Sequence, residues 1–414
     1  MERASVIELS LIEPKLACLI KQISDHEMQM VHVMHYVPNF QDAVGGREVF
    51  VRGLVSHIDN LGLQQTVITS SPNGRREVVQ FEKRTTVISL PAKKIGAYTI
   101  LSDLLSTIAK VGPDLINVHG YGEYPGDVVC LQKKLGKLDK PLILTTHGIA
   151  GLKHAFMAFD RSSSFTPRQR VVRSVHLFYD FSMGRLQMNT FDRVILLSDE
   201  EKNYLSKIGL KYENSLKIPI AISDLFFGPP RLVDRNGILY VGRIDEFKGL
   251  DVLVKAIREL CLRNINLKCR IIGKDFNYKS RLQSLINRLD LGDLVSIENQ
   301  VTQEEVLDYY DSALVTVLPS SSEGFPLVLA ESMARGTPFI STPVGAIPEL
   351  VNQSGAGFLT PVGDAKSLAG RIGQLLTDKD LWSSMSLKAR AFAQNFRWDR
   401  VAKEYYNTYM ELAG

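Results

Sequence analysis

Apolar and polar positions alternate along this chain with two different periods. Short apolar runs bounded by turn residues predict strands, and longer stretches with apolar residues every three or four positions predict helices. Val31–Val37 is the first predicted strand, followed by a loop containing Gly45 and Gly46 and a helix from Arg47 to Asp59. Leu63–Thr69 and Thr86–Leu90 predict further strands, and Tyr98–Lys110 a helix. Asp114–Val118, Pro141–Thr145 and Asp192–Leu197 read as short strands, each followed at once by a polar residue: His119, Thr146 and Ser198. Arg168–Met188 reads as a long helix. The alternation restarts at Gly237, with strands Ile238–Val241, Leu267–Ile272, Leu294–Ile297, Leu314–Leu318 and Pro338–Ser341. Helices Leu250–Leu262, Lys279–Leu289, Glu304–Tyr310 and Pro326–Arg335 lie between them, and two more helices close the chain. This pattern predicts an α/β fold of two Rossmann-like halves, whose ligands sit at the C-terminal ends of the strands. Ile218–Arg231, carrying Pro219, Gly228, Pro229 and Pro230, reads as a hinge, and the cleft between the halves is the expected active site.

Composition narrows the function classes. The chain has 414 residues, 45% of them hydrophobic and 23% charged, which is enough apolar material for two sizeable cores and excludes a disordered or disulfide-stapled chain. Lys and Arg exceed Asp and Glu by four, 49 against 45, so the overall charge does not announce a nucleic-acid binder. Cys18, Cys130, Cys261 and Cys269 are scattered without a CxxC pair and read as reduced thiols of a cytoplasmic protein. No spaced His/Cys/Asp set suggests a metal site. Strand signals begin only at Val31, so residues 1–28 are expected to be a leader, and not a signal peptide, because Glu8 and Glu13 interrupt what would be its apolar region. Leu16, Leu19, Ile20 and Ile23 are expected to dock on the protein's own body. Arg161, Arg168, Arg170 and Arg173, with Lys133, Lys134, Lys137 and Lys140, fit a contact with acidic acceptors or the inner face of a membrane, and fit solvated helix faces equally well.

Three segments carry candidate chemistry. In the first, Ser320–Glu331, a proline at Pro326 suits the first position of a helix, because the N–H that it lacks would be unpaired there. The N–H groups of Leu327 and Val328, with the helix dipole, then make an anion site flanked by Glu323 and Glu331. In the second, Tyr240–Gly249, Arg243 and Lys248 project from one loop at a strand end, a guanidinium fork and an ammonium suited to the two phosphates of a diphosphate. Asp245 and Glu246 read as turn or helix-entry residues. In the third, Gly45 and Gly46 allow a backbone to approach a phosphate at a helix start, although neither GxGxxG nor a Walker A sequence is present.

In this combination the chain resembles the retaining GT-B glycosyltransferases of family 4 from Val31 to its end. The most specific element is Glu323-x7-Glu331 within EGFPLVLAESMARGTPFISTPVGAIPELV. VGRIDEFKGLDVL and FRWDRVAKEYYNTY look like the family's C-terminal half, and Gly45-Gly46, DLINVHG, TTHG and FDRVILLS follow its N-terminal landmarks in order. The resemblance implies an acceptor domain over 29–220, a nucleotide-sugar domain over 221–395, and a last helix, 396–414, crossing back to the first. It implies two facing domains with a deep cleft, a UDP- or GDP-sugar as donor, and a carbohydrate, lipid-linked or small-molecule acceptor. No cofactor and no metal are expected.

By the same resemblance, Arg243 and Lys248 hold the donor diphosphate, Glu331 the ribose and Glu323 the transferred sugar. The backbone around Gly324, Phe325, Leu327 and Val328 contacts sugar and phosphate, Gly45 and Gly46 approach from the other domain, and His147 points toward the sugar. His119 is a weaker candidate. Departures are Ile218-Pro219-Ile220-Ala221-Ile222 at the crossing between halves, Glu298-Asn299-Gln300 where a glycine is usual, and Pro326 in place of a glycine. A nucleotide-sugar epimerase, a phosphorylase and a catalytically silent binding subunit remain as alternatives.

Overall fold

A computed structural model describes residues 30–41, 46–95, 98–148, 178–207, 214–230 and 233–414. The chain divides into two compact units. One contains residues up to Leu197, Glu201–Pro219 and Trp398–Gly414; the other contains Ser198–Glu200 and Ile220–Arg397.

The first unit is built on an eight-stranded sheet in the order β10-β9-β8-β7-β1-β2-β4-β3. Its strands are β1 (His32–Tyr36), β2 (Gln64–Ser70), β3 (Glu77–Glu82), β4 (Thr85–Leu90), β7 (Leu115–His119), β8 (Leu142–Thr145), β9 (Arg193–Leu196) and β10 (Ser215–Lys217), with a separate hairpin of β5 (Ala92–Ile95) and β6 (Tyr98–Leu101). All neighbours in the large sheet run parallel except β3, which returns antiparallel to β4. The strand order reverses direction at β1, between β2 and β7. β1, β7 and β8 are buried along almost their whole length, as parallel strands covered on both faces must be.

Two sequence expectations change here. Tyr98–Lys110 was expected to be one helix; Tyr98–Leu101 instead pairs with Ala92–Ile95, and the helix is confined to Leu104–Val111. β3, β10 and the helix Tyr124–Lys134 were not anticipated. Only the end of the long helix expected over Arg168–Met188 is described, as a π-helical turn at Asp180–Gly184 running into Arg185–Met188.

The last helix, Trp398–Ala413, packs on this first unit. His57 of the helix Gly46–Asn60 stacks on Trp398 with ring centroids 4.9 Å apart, and a Cβ added to Gly53 would stand 2.2 Å from the indole. The Asn117 amide donates to the Tyr409 hydroxyl at 2.7 Å, deep in the core.

The second unit holds a six-stranded, all-parallel sheet in the order β13-β12-β11-β14-β15-β16. The strands are β11 (Ile238–Val241), β12 (Cys269–Ile272), β13 (Val295–Glu298), β14 (Val315–Leu318), β15 (Phe339–Ser341) and β16 (Gly357–Leu359). The order reverses at β11, between β12 and β14. A crevice beyond the strand ends at such a reversal is where an open α/β sheet binds ligands. After β15 the chain forms four helices, Ile347–Ser354, Ala365–Thr377, Lys379–Ala393 and Trp398–Ala413, rather than the expected two.

Residues 226–229 of the segment read as a hinge are held within the second unit. Arg335, buried and bidentate on Asp311 at 2.9 and 2.6 Å, donates to the carbonyls of Phe226, Gly228 and Pro229. Cys130 and Cys269 are buried free thiols and Cys261 is partly buried, while Cys18 lies outside the described residues.

Candidate functional site

In the second unit the candidate residues gather beyond β11 and β14, at the reversal point. β11 ends at Val241, and the turn that follows is tight: a Cβ on Gly273 would stand 1.7 Å from the Gly242 carbonyl oxygen. The Tyr240 hydroxyl donates to the Arg243 carbonyl at 2.6 Å. Asp245 caps the short turn Glu246–Lys248 by accepting from the Phe247 N–H at 2.9 Å, as a helix-entry residue should. It also holds the Arg243 guanidinium at 3.2 Å, which sits over the Phe276 ring and is half exposed. Gly249 then turns the chain with φ +64°, its Cα so close to Pro319 that a Cβ would meet that carbonyl oxygen at 2.1 Å.

The loop after β14 is stitched to the loop after β11. Ser321 N–H donates to the Phe247 carbonyl at 2.8 Å. Lys248 Nζ and Ser320 Oγ both donate to Glu323 Oε1, at 2.7 and 2.6 Å. Lys248 and Glu323, assigned from the sequence to phosphate and sugar separately, therefore form one ion pair, with side chains only 13% and 10% exposed. The Gly324 carbonyl accepts from Ala346 N–H at 3.0 Å.

Pro326 is not the first helical residue. With φ −82° and ψ 97° it is the N-cap, and the helix runs Leu327–Ala334. No side chain caps this end, so the amides of Leu327 and Val328 keep their anion-binding character. The Phe325 ring packs edge-on against Phe396 at 5.6 Å. Glu331 lies one turn into the helix and accepts a hydrogen bond from the Tyr310 hydroxyl at 2.9 Å. Burial pushes its pKa up to about 7, and the Tyr310 hydrogen bond offsets only part of that. Burial likewise pushes the Tyr310 hydroxyl up, so it remains a donor.

In the first unit, Gly46 opens the helix Gly46–Asn60; Gly45 lies outside the described residues. Arg47, next in the chain, pairs with Glu123 and with Glu48 at 3.1 Å and donates to the His119 carbonyl at 3.4 Å. Burial opposes its charge, but Glu123 and Glu48 outweigh burial and hold its pKa up. His119, at the end of β7, and His147, just past β8, belong to a chain of rings. His35 Nδ1 lies 3.0 Å from His119 Nε2, and His119 Nδ1 lies 2.9 Å from His147 Nε2. Burial drives all three toward neutrality, His35 and His147 down to about 3 and His119 well below its ordinary value. His147 also holds φ +52°, a left-handed conformation uncommon outside glycine, with its ring against Phe50 at 5.3 Å.

His35, Arg47, Glu123, Ser320 and Tyr310, which contact the candidate residues or their neighbours, were not singled out from the sequence. For His35 a signal was present: a histidine at a strand position that the apolar pattern places inside. The arginines of the basic group, Arg161, Arg168, Arg170 and Arg173, lie outside the described residues. Lys133 is engaged, donating to the Lys140 carbonyl at 2.9 Å and pairing with Asp192 at 2.6 Å. Among the described residues no helix is long and apolar enough to cross a membrane, and no three His, Cys, Asp or Glu side chains gather as metal ligands would.

Comparison with known proteins supplies the context. The family described as Glycosyl transferases group 1 matches residues 223–392, and the family described as Glycosyltransferase Family 4 matches residues 44–222. A D-inositol 3-phosphate glycosyltransferase of Corynebacterium aurimucosum is 27% identical over 404 residues, covering 90% of this chain and 92% of that protein. A protein of the same name from Streptomyces scabiei is 34% identical over 276 residues, covering 63% of this chain and 60% of its own. Two solved structures share the fold. A sucrose-phosphate synthase from Thermosynechococcus elongatus has a TM-score of 0.74 at 23% identity, covering 92% of this chain and 99% of its own. HepE of Anabaena, solved with UDP-glucose, has a TM-score of 0.68 at 17% identity, covering 92% of this chain and 100% of its own.

Proposed function

This chain belongs to the family 4, group 1 glycosyltransferases of GT-B fold, enzymes that move a sugar from a nucleotide-diphosphate donor, and on that premise we propose how the transfer proceeds here. The donor is a UDP- or GDP-sugar bound by the second unit. Its ribose hydroxyls donate to Glu331, and its diphosphate meets Arg243, Lys248 and the uncapped amides of Leu327 and Val328. Glu323 takes the hydroxyls of the transferred sugar. The observation that carries this reading is the ion pair of Lys248 with Glu323 at the reversal point of the sheet, 2.7 Å apart and nearly enclosed. On this reading a cation for the leaving phosphate and a hydrogen-bond acceptor for the sugar stand side by side.

Lys248 and Arg243 stabilise the charge that develops on the leaving diphosphate, so no divalent metal is required. Glu323 is held by Lys248 and Ser320, which suits it to orient a sugar rather than to attack one. Transfer therefore proceeds with retention by same-face attack, without a glycosyl-enzyme carboxylate. The acceptor is a carbohydrate, a lipid-linked sugar or a small polyol, and D-inositol 3-phosphate is the first to try because the relatives are named for it. The protein works in the cytoplasm.

The test is turnover of UDP- and GDP-sugars with a panel of acceptors, in excess chelator, with the product anomer read by NMR. Release of nucleoside diphosphate coupled to an α-linked product from an α-linked donor is expected, undiminished by EDTA. An inverted product, or activity that returns only with Mg²⁺ or Mn²⁺, overturns the reading.

A further inference from the structure

The second unit has a cavity at the end of its sheet opposite the donor residues. Arg235 lies just before β11 and Leu314 just before β14, whereas Arg243 and Glu323 follow those same strands. The four residues of β14 separate the two ends by about 13 Å, at the usual rise of a parallel strand. The cavity measures about 550 Å³, a size that suits a small molecule. Arg235, Leu314, Arg335, Lys379, Trp382 and Arg390 are among the residues that line it.

The charge around this cavity is unbalanced. Arg335 takes both oxygens of the buried Asp311, at 2.9 and 2.6 Å, and leaves Arg235 at 4.0 Å from that carboxylate. Arg235 donates instead to the Tyr310 and Arg335 carbonyls, at 3.1 and 2.7 Å, and its guanidinium lies over the Trp382 ring. Among the described residues, neither Lys379 nor Arg390 pairs with a carboxylate, and both are exposed. Burial, and after it the charges of Arg335 and Arg390, push the Arg235 pKa down against the pull of Asp311. Set against Asp311 and the lining Asp234, the four cations leave two positive charges over. A phosphate monoester brings nearly two negative charges at neutral pH, with three strong acceptor oxygens.

The rest of the lining is apolar on one side. Leu314 and Leu376 stand there with Trp382, which is fixed in place because its indole N–H donates to the Leu314 carbonyl at 2.8 Å. We propose that this cavity is a second ligand site, which takes a small phosphomonoester carrying a ring. The phosphate meets Arg235, Lys379 and Arg390, and the ring lies against Leu314 and Trp382. None of these residues belongs to the donor assignment, so the site stands apart from the transferase reading.

The chain has two tryptophans, Trp382 and Trp398, so a Trp398→Phe variant makes Trp382 the sole fluorescent reporter. Ribose 5-phosphate is expected to change its emission saturably, and ribose to leave it unchanged. Inorganic phosphate, which has no ring, is expected to bind at least about tenfold more weakly. Replacing Lys379 and Arg390 together by Ala is expected to weaken ribose 5-phosphate about tenfold or more, and Arg390→Lys alone much less. Arg243→Ala, at the donor site, is expected to leave the affinity as it was. Calorimetry on the chain with both tryptophans gives the same comparison if Trp398→Phe does not fold. Absence of saturable binding overturns the proposal. So does binding that survives the double replacement and is lost in Arg243→Ala, which places the phosphate at the donor site. Equal affinity for inorganic phosphate and ribose 5-phosphate removes the ring, and the proposal with it.

Discussion

Glu331 is a carboxyl group whose folded pKa has been raised, and the direction of the shift sets what pH does to it. Its pKa of about 7 in the folded protein stands above its ordinary 4.5, because burial penalises the charge. The folded state therefore keeps a proton that the unfolded chain loses between these values. The stability it contributes is complete below pH 4.5 and is lost as pH rises through 7, on the order of 3 kcal/mol. His32, His35 and His147 act in the opposite sense: their pKa values are depressed by burial to about 4, 3 and 3, so they destabilise the fold as pH falls below 6.5. Comparison with Glu331→Gln isolates the glutamate. The free variant is expected to be as stable as wild type at pH 5 and more stable at pH 8, by thermal unfolding. Its affinity for nucleoside diphosphate is expected to fall ten- to a hundredfold at pH 8, by calorimetry, since ribose hydroxyls then lose an ionised acceptor. Equal stability at pH 8 would remove the desolvated carboxyl from the account.

At the scale of elements, the site depends on loops that approach each other too closely for side chains. Gly345 has φ +58°, and a Cβ there would come within 2.5 Å of the carbonyl oxygens of both Glu323 and Gly324. Gly345→Ala is expected to push the loop bearing Glu323 away from Lys248 and to lower kcat at least tenfold, while circular dichroism shows the fold retained. Wild-type kcat in that variant would mean that the loop position does not matter to catalysis. The same scale shows what sequence patterning conveys. The apolar runs disclosed β1, β7, β8, β11 and β14 because strands buried on both faces leave little ambiguity. They misread Tyr98–Leu101, whose partner Ala92–Ile95 forms a small separate hairpin with no long apolar run to announce it. They placed Pro326 one position too far into its helix, since the cap depends on ψ, which composition does not reveal. Motif spacing singled out Lys248 and Glu323, which meet in an ion pair although 75 positions apart. The ring chain escaped detection because His35 and His119 stand 84 positions apart and meet only through the pairing of β1 with β7.

For the whole molecule, the informative fact is that the chain leaves its first unit at Pro219 and re-enters it at Trp398. Removing Trp398–Gly414 strips the indole from His57 and Phe50 and leaves the buried Asn117 amide without its Tyr409 partner. An unsatisfied buried amide alone costs about 1–3 kcal/mol. In a chain ending at Arg397, hydrogen exchange is expected to show lost protection over Gly46–Asn60 and β7, with β11–β16 still protected. Equal protection in both units would show that the last helix is dispensable.

That re-entry also orders events during synthesis. Apart from Ser198–Glu200, already made, the second unit is the continuous stretch Ile220–Arg397 and can fold once it clears the ribosome. The first unit was begun earlier but cannot be completed until the last codons are read. At about 5–20 residues per second, the roughly 180 intervening residues impose a delay of about 10–35 s. Throughout it, Phe50 and His57 lack the indole that covers them, an apolar surface of the kind that chaperones bind. Slowing translation across the second unit should therefore lengthen the exposure of the first.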